Sequence, residues 1–410
     1  MRVVTADVLS ATLTALPGEP RVVASGNFAA PLELLRVMAA AHPGWRLFML
    51  NAPVGIPVGA GVALETPFVG AGMRDQPRLD YVPARLSLVP KLFTTTRPPD
   101  VVLLHTSPPR DGTVSLGSEV NVLPAAIEAV RARGGLVVAQ VNRHMPYTYG
   151  DGQLGLDEID LAVECDVQLA APPVRDYDRV ARRIGERVAA LVPEGATLQL
   201  GIGAVPDATL AALEYRKGLR IWSEMFSDGV LTLEKTGQLD TSAPITASFV
   251  FGIPELYDFV DRNPRVRLVR TEKSNDPASI AKQPRLTSIN SAMQVDLFAQ
   301  ANASRRRGRI YSGFGGQTDF IVGALHSPGG QAIIALPSWH PKADVSTVVP
   351  LVDGPVTSFQ HSHIVSEHGA APIWGNGQAE QASALINRVA HPDARDELWD
   401  AARRMGLVGR

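Results

Sequence analysis

The sequence predicts an α/β protein of two domains, each built on an open and mostly parallel sheet. Three observations lead there. Short apolar β-type runs recur along the chain, each ending in a Gly, Pro, Ser or Asn cluster before a helical pattern begins. The runs are continuously apolar rather than alternating, the pattern of strands covered on both faces. The length of 410 residues exceeds what one hydrophobic core usually organises.

Taken in order, the runs are RVVASGNF followed by PLELLRVM, then VVLLHTSPP, GLVVAQVN, TLQLGIGAVPDATLAAL and AIIALPS. A helix is predicted over 177–191, because Val180, Ile184, Val188 and Leu191 recur at spacings of four, four and three. Pro172 and Pro173 precede it, so a domain boundary is expected near residue 175, with domains 1–175 and 176–410. Both halves open alike, with a strand, a Gly-containing turn, a proline and a helix: Ser25-Gly26 to Pro31, and Gly201-Ile202-Gly203 to Pro206. At the C-terminus, His391-Pro392-Asp393 opens a helix that closes at Gly406, with Leu398, Ala402 and Met405 on its buried face.

Composition narrows the function. Formal net charge is −2, so no global field draws nucleic acid, and a polyanionic ligand needs a local basic cluster. The single cysteine, Cys165, cannot pair within the chain and reads as a packed thiol, which fits a reducing cytoplasm. No run is apolar enough to span a membrane, and Asp7 breaks any signal-like stretch, so a cytoplasmic protein is expected.

Familiar motifs fail in informative ways. Gly201-Ile202-Gly203 and Gly313-Phe314-Gly315 begin like dinucleotide fingerprints, but Pro206 and Thr318 stand at the sixth position, where close helix packing needs Gly or Ala. There is no Gly-Lys pair for a P-loop and no G-x-S-x-G elbow. His361 and His363 would share a face if they lie on a strand, but no further ligand pattern accompanies them.

Two segments stand out. In Trp222-Ser223-Glu224-Met225-Phe226-Ser227-Asp228-Gly229 a carboxylate follows a strand and sits among apolar and aromatic residues. It is either salt-bridged, with Arg220 a possible partner, or functional. In Ser312-Gly313-Phe314-Gly315-Gly316-Gln317-Thr318-Asp319-Phe320, three glycines in four positions let backbone amides approach a ligand; an ordinary tight turn is the alternative.

Together these segments resemble the acetyl-CoA hydrolase/transferase family. The resemblance rests on the order and spacing of GIGAVPDA (201–208), SEMFSDG (223–229) and SGFGGQTDF (312–320). Further matches are Ser107-Pro108-Pro109, Met145-Pro146, SFVFGIPELYDFVDRNP (248–264), Ser288-Ile289-Asn290-Ser291, IALPS (334–338), HIVSEHGAA and AHPDARDEL, so the likeness spans residues 20 to 408. It implies two open-sheet domains like those of NagB, RpiA and the CoA-transferases, with the active site at their interface.

It further implies a catalytic Glu at Glu224 that carries CoA as a glutamyl thioester. Gly201, Ile202, Gly203, Gly313, Gly315, Gly316 and Gln317 would then shape the oxyanion and CoA site, with Ser25 and Asn27 on the substrate side. The substrates implied are acyl-CoA and a short-chain carboxylate; no metal or redox cofactor is required, and a homodimer is expected. An acyl-CoA hydrolase with the same intermediate is the near alternative, and a non-catalytic metabolite-binding protein of NagB-like architecture the distant one. Two stretches depart from the family pattern. Thr347 stands where Arg is usual, and the segment 374–378 lacks the usual basic residues. Both leave Glu224 untouched and the acyl group open.

Overall fold

The computed structural model describes residues 1–172, 177–201, 203–356 and 360–409. It divides into two compact units that interleave along the chain. The first holds Met1–Pro172 and Pro244–Ser274, the second Pro173–Ala243 and Asn275–Arg410. The expected boundary at residue 175 lies outside the described residues. The expected split into 1–175 and 176–410 misses the return of 244–274 to the first unit. That return is held by local pairing: Val266–Leu268 lies parallel to both Ile245–Ala247 and Tyr149–Gly150. Lys273 also pairs with Asp151 at 2.6 Å, and Arg270 with Glu128 at 2.6 Å.

The first unit's main sheet has eight strands: β1 (Arg2–Val3), β2 (Arg21–Ala24), β3 (Trp45–Phe48), β4 (Val62–Thr66), β5 (Leu79–Tyr81), β6 (Val101–Thr106), β7 (Leu136–Asn142) and β8 (Leu161–Cys165). Their order is β1-β8-β7-β6-β2-β3-β4-β5, and every neighbouring pair is parallel. Helices α1 (Ala6–Thr14), α2 (Leu32–Ala41) and α3 (Leu123–Ala132) belong to this unit. Val101, Val102, Leu103 and Leu104 are all fully buried, which accounts for the uninterrupted apolar run in the sequence. Cys165, at the end of β8, is half-buried, and burial pushes its thiol pKa up.

The second unit contains β9 (Thr197–Leu200), β10 (Arg220–Trp222), β11 (Leu286–Ser291), β12 (Gln331–Ala335), β13 (His363–Val365) and β14 (Ala370–Pro372). These run in the order β14-β13-β12-β11-β9-β10, parallel except for the β13–β14 pair. The helix expected over 177–191 is α4 (Arg179–Leu191). Its N-cap is Asp178, whose carboxylate accepts the Ala181 amide at 2.8 Å, and Ile184 and Val188 are fully buried.

Helices α5 (Ala204–Ala212) and α6 (Gln317–His326) follow the two glycine turns. The last helix, α7 (Arg395–Arg404), follows a short 3₁₀ turn at Pro392–Ala394. Leu398 and Ala402 are buried as expected, but Met405 is exposed because the helix ends one residue before it. Among the described residues no helix is long and apolar enough to cross a membrane.

Candidate active site

The second unit gathers its chemistry at the carboxyl ends of β9, β10 and β11, where open parallel sheets place their ligands. Parallel register sets Thr197 against Arg220 and Leu198 against Ile221, so Gly201 and Glu224 leave neighbouring strands at the same edge. Ser223 locks these ends together. Its buried hydroxyl accepts the Leu200 amide at 3.2 Å and donates to the Leu200 carbonyl at 3.3 Å. Glu224 is thereby held at a defined point just past the strand. It is half-buried, between the half-buried Trp222 and the buried Phe226.

The glycine loop meets this carboxylate directly. A Cβ on Gly316 would overlap Glu224 Oε2 and Asn275 Nδ2, so only glycine lets the backbone at the start of α6 come this close. Gly313 and Gly315 adopt φ of 133° and 52°, conformations that favour glycine. Gln317 reaches the end of β11, its Nε2 donating to the Ser291 carbonyl at 3.3 Å. Its own backbone N–H is engaged by the Phe314 carbonyl at 3.1 Å, so that amide is spent inside the loop.

Asn275 was not singled out from the sequence. It is fully buried, and its Nδ2 donates to Glu224 Oε2 at 3.3 Å. Its neighbour Asp276 is the N-cap of the short helix Pro277–Ala281, so in the sequence KSNDP it reads as one more helix-start residue. Beneath the edge lies a buried polar trio, also unforeseen. Ser288 Oγ and Asn290 Nδ2 both donate to Gln199 Oε1, at 2.6 and 3.0 Å, and tie β9 to β11. Ser288 and Asn290, two apart and so on one face of the strand Leu286–Ser291, were the available signal.

Arg220, the salt-bridge partner considered for Glu224, is taken by Asp240 at 2.9 Å. Of the other expected residues, Gly201 and Gly203 flank the start of α5, and Ile202 lies outside the described residues. His361 is buried and His363 half-buried; burial lowers the His361 pKa to about 3. Among the described residues no group of three or more His, Cys, Asp or Glu side chains is arranged to hold a metal.

Ser25 and Asn27 belong to the first unit, at the carboxyl end of β2. Asn27 adopts φ of 45°, and its side chain is occupied at both ends. Nδ2 donates to Glu119 Oε2 at 2.9 Å, and Oδ1 accepts Asn51 Nδ2 at 2.6 Å. Glu119 Oε1 accepts the Gly26 amide at 3.2 Å. Burial pushes the Glu119 carboxyl up to about 7, against the opposing pull of these two hydrogen bonds. The Ser25 hydroxyl is buried without a hydrogen-bond partner among the described residues.

Comparison with known proteins places this arrangement. The acetyl-CoA hydrolase/transferase N-terminal and C-terminal domain models match residues 65–172 and 252–402. A 4-hydroxybutyrate coenzyme A transferase of Clostridium kluyveri is 40% identical over 82% of this chain and 81% of its own length. The chain belongs to the acetyl-CoA hydrolase/transferase family.

Solved structures agree. A 4-hydroxybutyrate CoA-transferase of Porphyromonas gingivalis is 32% identical, with a TM-score of 0.84 over 98% of both chains. RipA of Yersinia pestis is 28% identical, with a TM-score of 0.92 over 99% of this chain and 98% of its own. Acetyl-CoA hydrolases of two yeasts match at only 27% and 28% identity. This member of the family is therefore an enzyme of the CoA-transferase type.

Proposed function

We propose that the enzyme moves CoA between an acyl-CoA and a short-chain carboxylate, of acetate, butyrate or 4-hydroxybutyrate type, through a thioester on Glu224. The observation that carries this reading is the close approach of Gly316 and Asn275 to the Glu224 carboxylate. A carboxylate held at a strand end, with a buried amide donor and a glycine backbone against it, has what covalent acyl chemistry requires.

In the first half-reaction a Glu224 oxygen attacks the thioester carbonyl of acyl-CoA. The C–S bond breaks, CoA leaves as thiolate, and a glutamyl–acyl anhydride remains. The thiolate then attacks the Glu224 carbonyl carbon and expels the first carboxylate, leaving glutamyl-CoA. An incoming carboxylate attacks that thioester and releases the thiolate, forming a second anhydride. The thiolate attacks the acyl carbonyl of this anhydride, which yields the new acyl-CoA and restores Glu224. One thioester is present before and after, so no external energy source enters.

A carboxylate is a weak nucleophile, so positioning carries much of the rate; well-oriented reactants gain roughly 7–11 kcal/mol. Each tetrahedral oxyanion needs donors, and Asn275 Nδ2 with the Gly315 and Gly316 amides is the proposed set. Gly201 and Gly203 lie at the same sheet edge and are the further candidates. In the first unit, Ser25 is assigned to the substrate side, while Asn27 shapes the turn. A homodimer in the cytoplasm goes with this reading, supported by the family resemblance and the lone cysteine.

The test is chemical trapping. Borohydride reduces a thioester but not a carboxylate, so it should inactivate the enzyme only after exposure to acyl-CoA, with the modification at Glu224. A Glu224→Gln variant that stays fully active sinks the assignment. Thiol release that proceeds equally well without a carboxylate acceptor makes the enzyme a hydrolase using the same intermediate.

A further inference from the structure

The chain carries a net charge of −2, yet a CoA substrate brings a 3′-phosphate and a diphosphate that need a cationic seat. We infer that the arginine hairpin at residues 304–310 is the seat for the phosphate-bearing end of CoA. This rests on the transferase reading and extends it to the part of the substrate away from the chemistry.

The hairpin is formed by two short antiparallel strands, Arg305–Arg306 and Arg309–Ile310, joined through Arg307 and Gly308 at φ of 50° and 73°. It presents Arg305, Arg306, Arg307 and Arg309, in a stretch with no acidic residue between Asp296 and Asp319. Arg306, Arg307 and Arg309 are exposed. Among the described residues none of the four makes an ion pair, whereas arginines elsewhere in the chain are commonly paired.

The register makes this more than a solvated charge run. Arg306 lies directly opposite Arg309, so two guanidinium side chains emerge side by side from one face of the ladder. Like charges in that position destabilise a strand pair. The cost is relieved when an anion bridges them, and paired guanidinium forks suit the oxygens of a phosphate.

The hairpin is also built to hold its shape without ligand. Asn302 Oδ1 accepts the Ser304 and Arg305 amides at 3.2 and 3.0 Å, and its Nδ2 donates to the Arg305 carbonyl at 2.8 Å. Arg305 Nη1 donates to the Gly308 carbonyl at 3.2 Å, which stiffens the turn.

Position supplies the last argument. The second hairpin strand runs straight into the glycine loop that abuts Glu224. The Ser304 carbonyl accepts the Tyr311 and Ser312 amides at 2.8 and 3.3 Å, which joins the hairpin base to that loop. Only six residues separate Arg309 from Gly316, so the two are at most about 25 Å apart. A substrate whose thioester lies at Glu224 carries its phosphates at the far end of the pantetheine arm, and the hairpin is within that range of the site.

The experiment compares the wild type with an Arg306→Gln/Arg307→Gln/Arg309→Gln variant and its all-Lys counterpart. Arg305 is kept because it braces the turn. Calorimetric binding of adenosine 3′,5′-bisphosphate should weaken about tenfold in the Gln variant, with most of the affinity retained by the Lys variant, as expected for a few solvent-exposed charge pairs. The KM for acyl-CoA should rise in step, while kcat and the KM for acyl-pantetheine, which lacks the phosphates, should not move. Unchanged bisphosphate binding, or an equal loss with acyl-pantetheine, overturns the inference. A wild type that binds the bisphosphate through these arginines but fails the borohydride test keeps the hairpin assignment and sinks the transferase reading.

Discussion

Two carboxylates, Glu224 in the second unit and Glu119 in the first, each stand beside a glycine turn that follows a parallel strand, and their surroundings assign them opposite work. Glu119 is 2% exposed, and each of its oxygens accepts a hydrogen bond, from the Gly26 amide and from Asn27 Nδ2. It holds a turn whose next residue has φ of 45°. Glu224 is half-buried, sits at the open edge of its sheet, and has a buried amide and a glycine backbone against one oxygen. A carboxylate saturated by the fold is a brace. One presented at a strand end, with a buried amide and a glycine backbone against it, suits the nucleophile's role proposed for Glu224. Both are Glu near Gly in the sequence, so the difference lies in exposure and in what the neighbours can do.

The contrast is broken most directly at Glu224 itself. Glu224→Ala should lower kcat by on the order of 10⁴-fold or more, the scale seen when a covalent nucleophile is removed, with the thermal midpoint little changed. A variant that keeps a tenth of the turnover would place Glu224 with the braces. Next in size is Asn275→Ala, which removes a buried amide donor at the carboxylate. As an oxyanion donor it should cost about 10²–10³-fold in kcat with KM nearly constant. A change confined to stability would make it a packing residue.

Gly316→Ala sharpens the geometry, because the added methyl has no room unless Glu224 or Asn275 moves. A displacement of that kind should cost about 10²-fold in turnover. Steady-state rates, with a melting curve to separate misplacement from unfolding, check it.

Much of this was legible before the structure, and for identifiable reasons. Strands such as β6 are buried on both faces, and that leaves an apolar run no loop would carry. Glu224 and the glycine loop stand out locally as a carboxylate among aromatics and three clustered glycines. Those residues alone leave Glu224 open between a salt bridge and a functional role, and only the family resemblance points to the second. Asn275 was not legible, since an Asn before Asp-Pro is ordinary helix-start chemistry and its approach to Glu224 spans 51 residues of chain. The return of 244–274 to the first unit depends on pairing with Tyr149–Gly150, which no local pattern encodes. Four arginines within residues 305–309 are plain in the sequence, but the register that sets Arg306 opposite Arg309 exists only once the two strands are paired.

The last prediction tests the other half of the contrast through pH. The Glu119 pKa is raised from 4.5 to about 7 in the folded chain. Between these values the folded protein holds a proton that the unfolded chain has released, so Glu119 makes stability fall as pH rises across that window. The accumulated loss above pH 7 is roughly 3 kcal/mol. His105 acts in the opposite sense. Burial lowers its pKa from 6.5 to about 4, so its contribution rises with pH over that range and masks part of the Glu119 effect.

Comparing wild type with Glu119→Gln cancels the histidine and leaves the carboxyl. Urea midpoints from pH 4.5 to 8 should therefore show the variant gaining on the wild type as pH rises, even if it starts behind because a Gln side chain puts an NH₂ where one of the two carboxyl oxygens faces the Gly26 and Asn27 donors. Turnover of the variant should stay within about tenfold of the wild type, far from the loss expected at a nucleophile. Parallel stability curves would remove the buried proton from the account. A turnover loss as deep as that of Glu224→Ala would show that the first unit's carboxyl takes part in the chemistry and does not merely hold the turn.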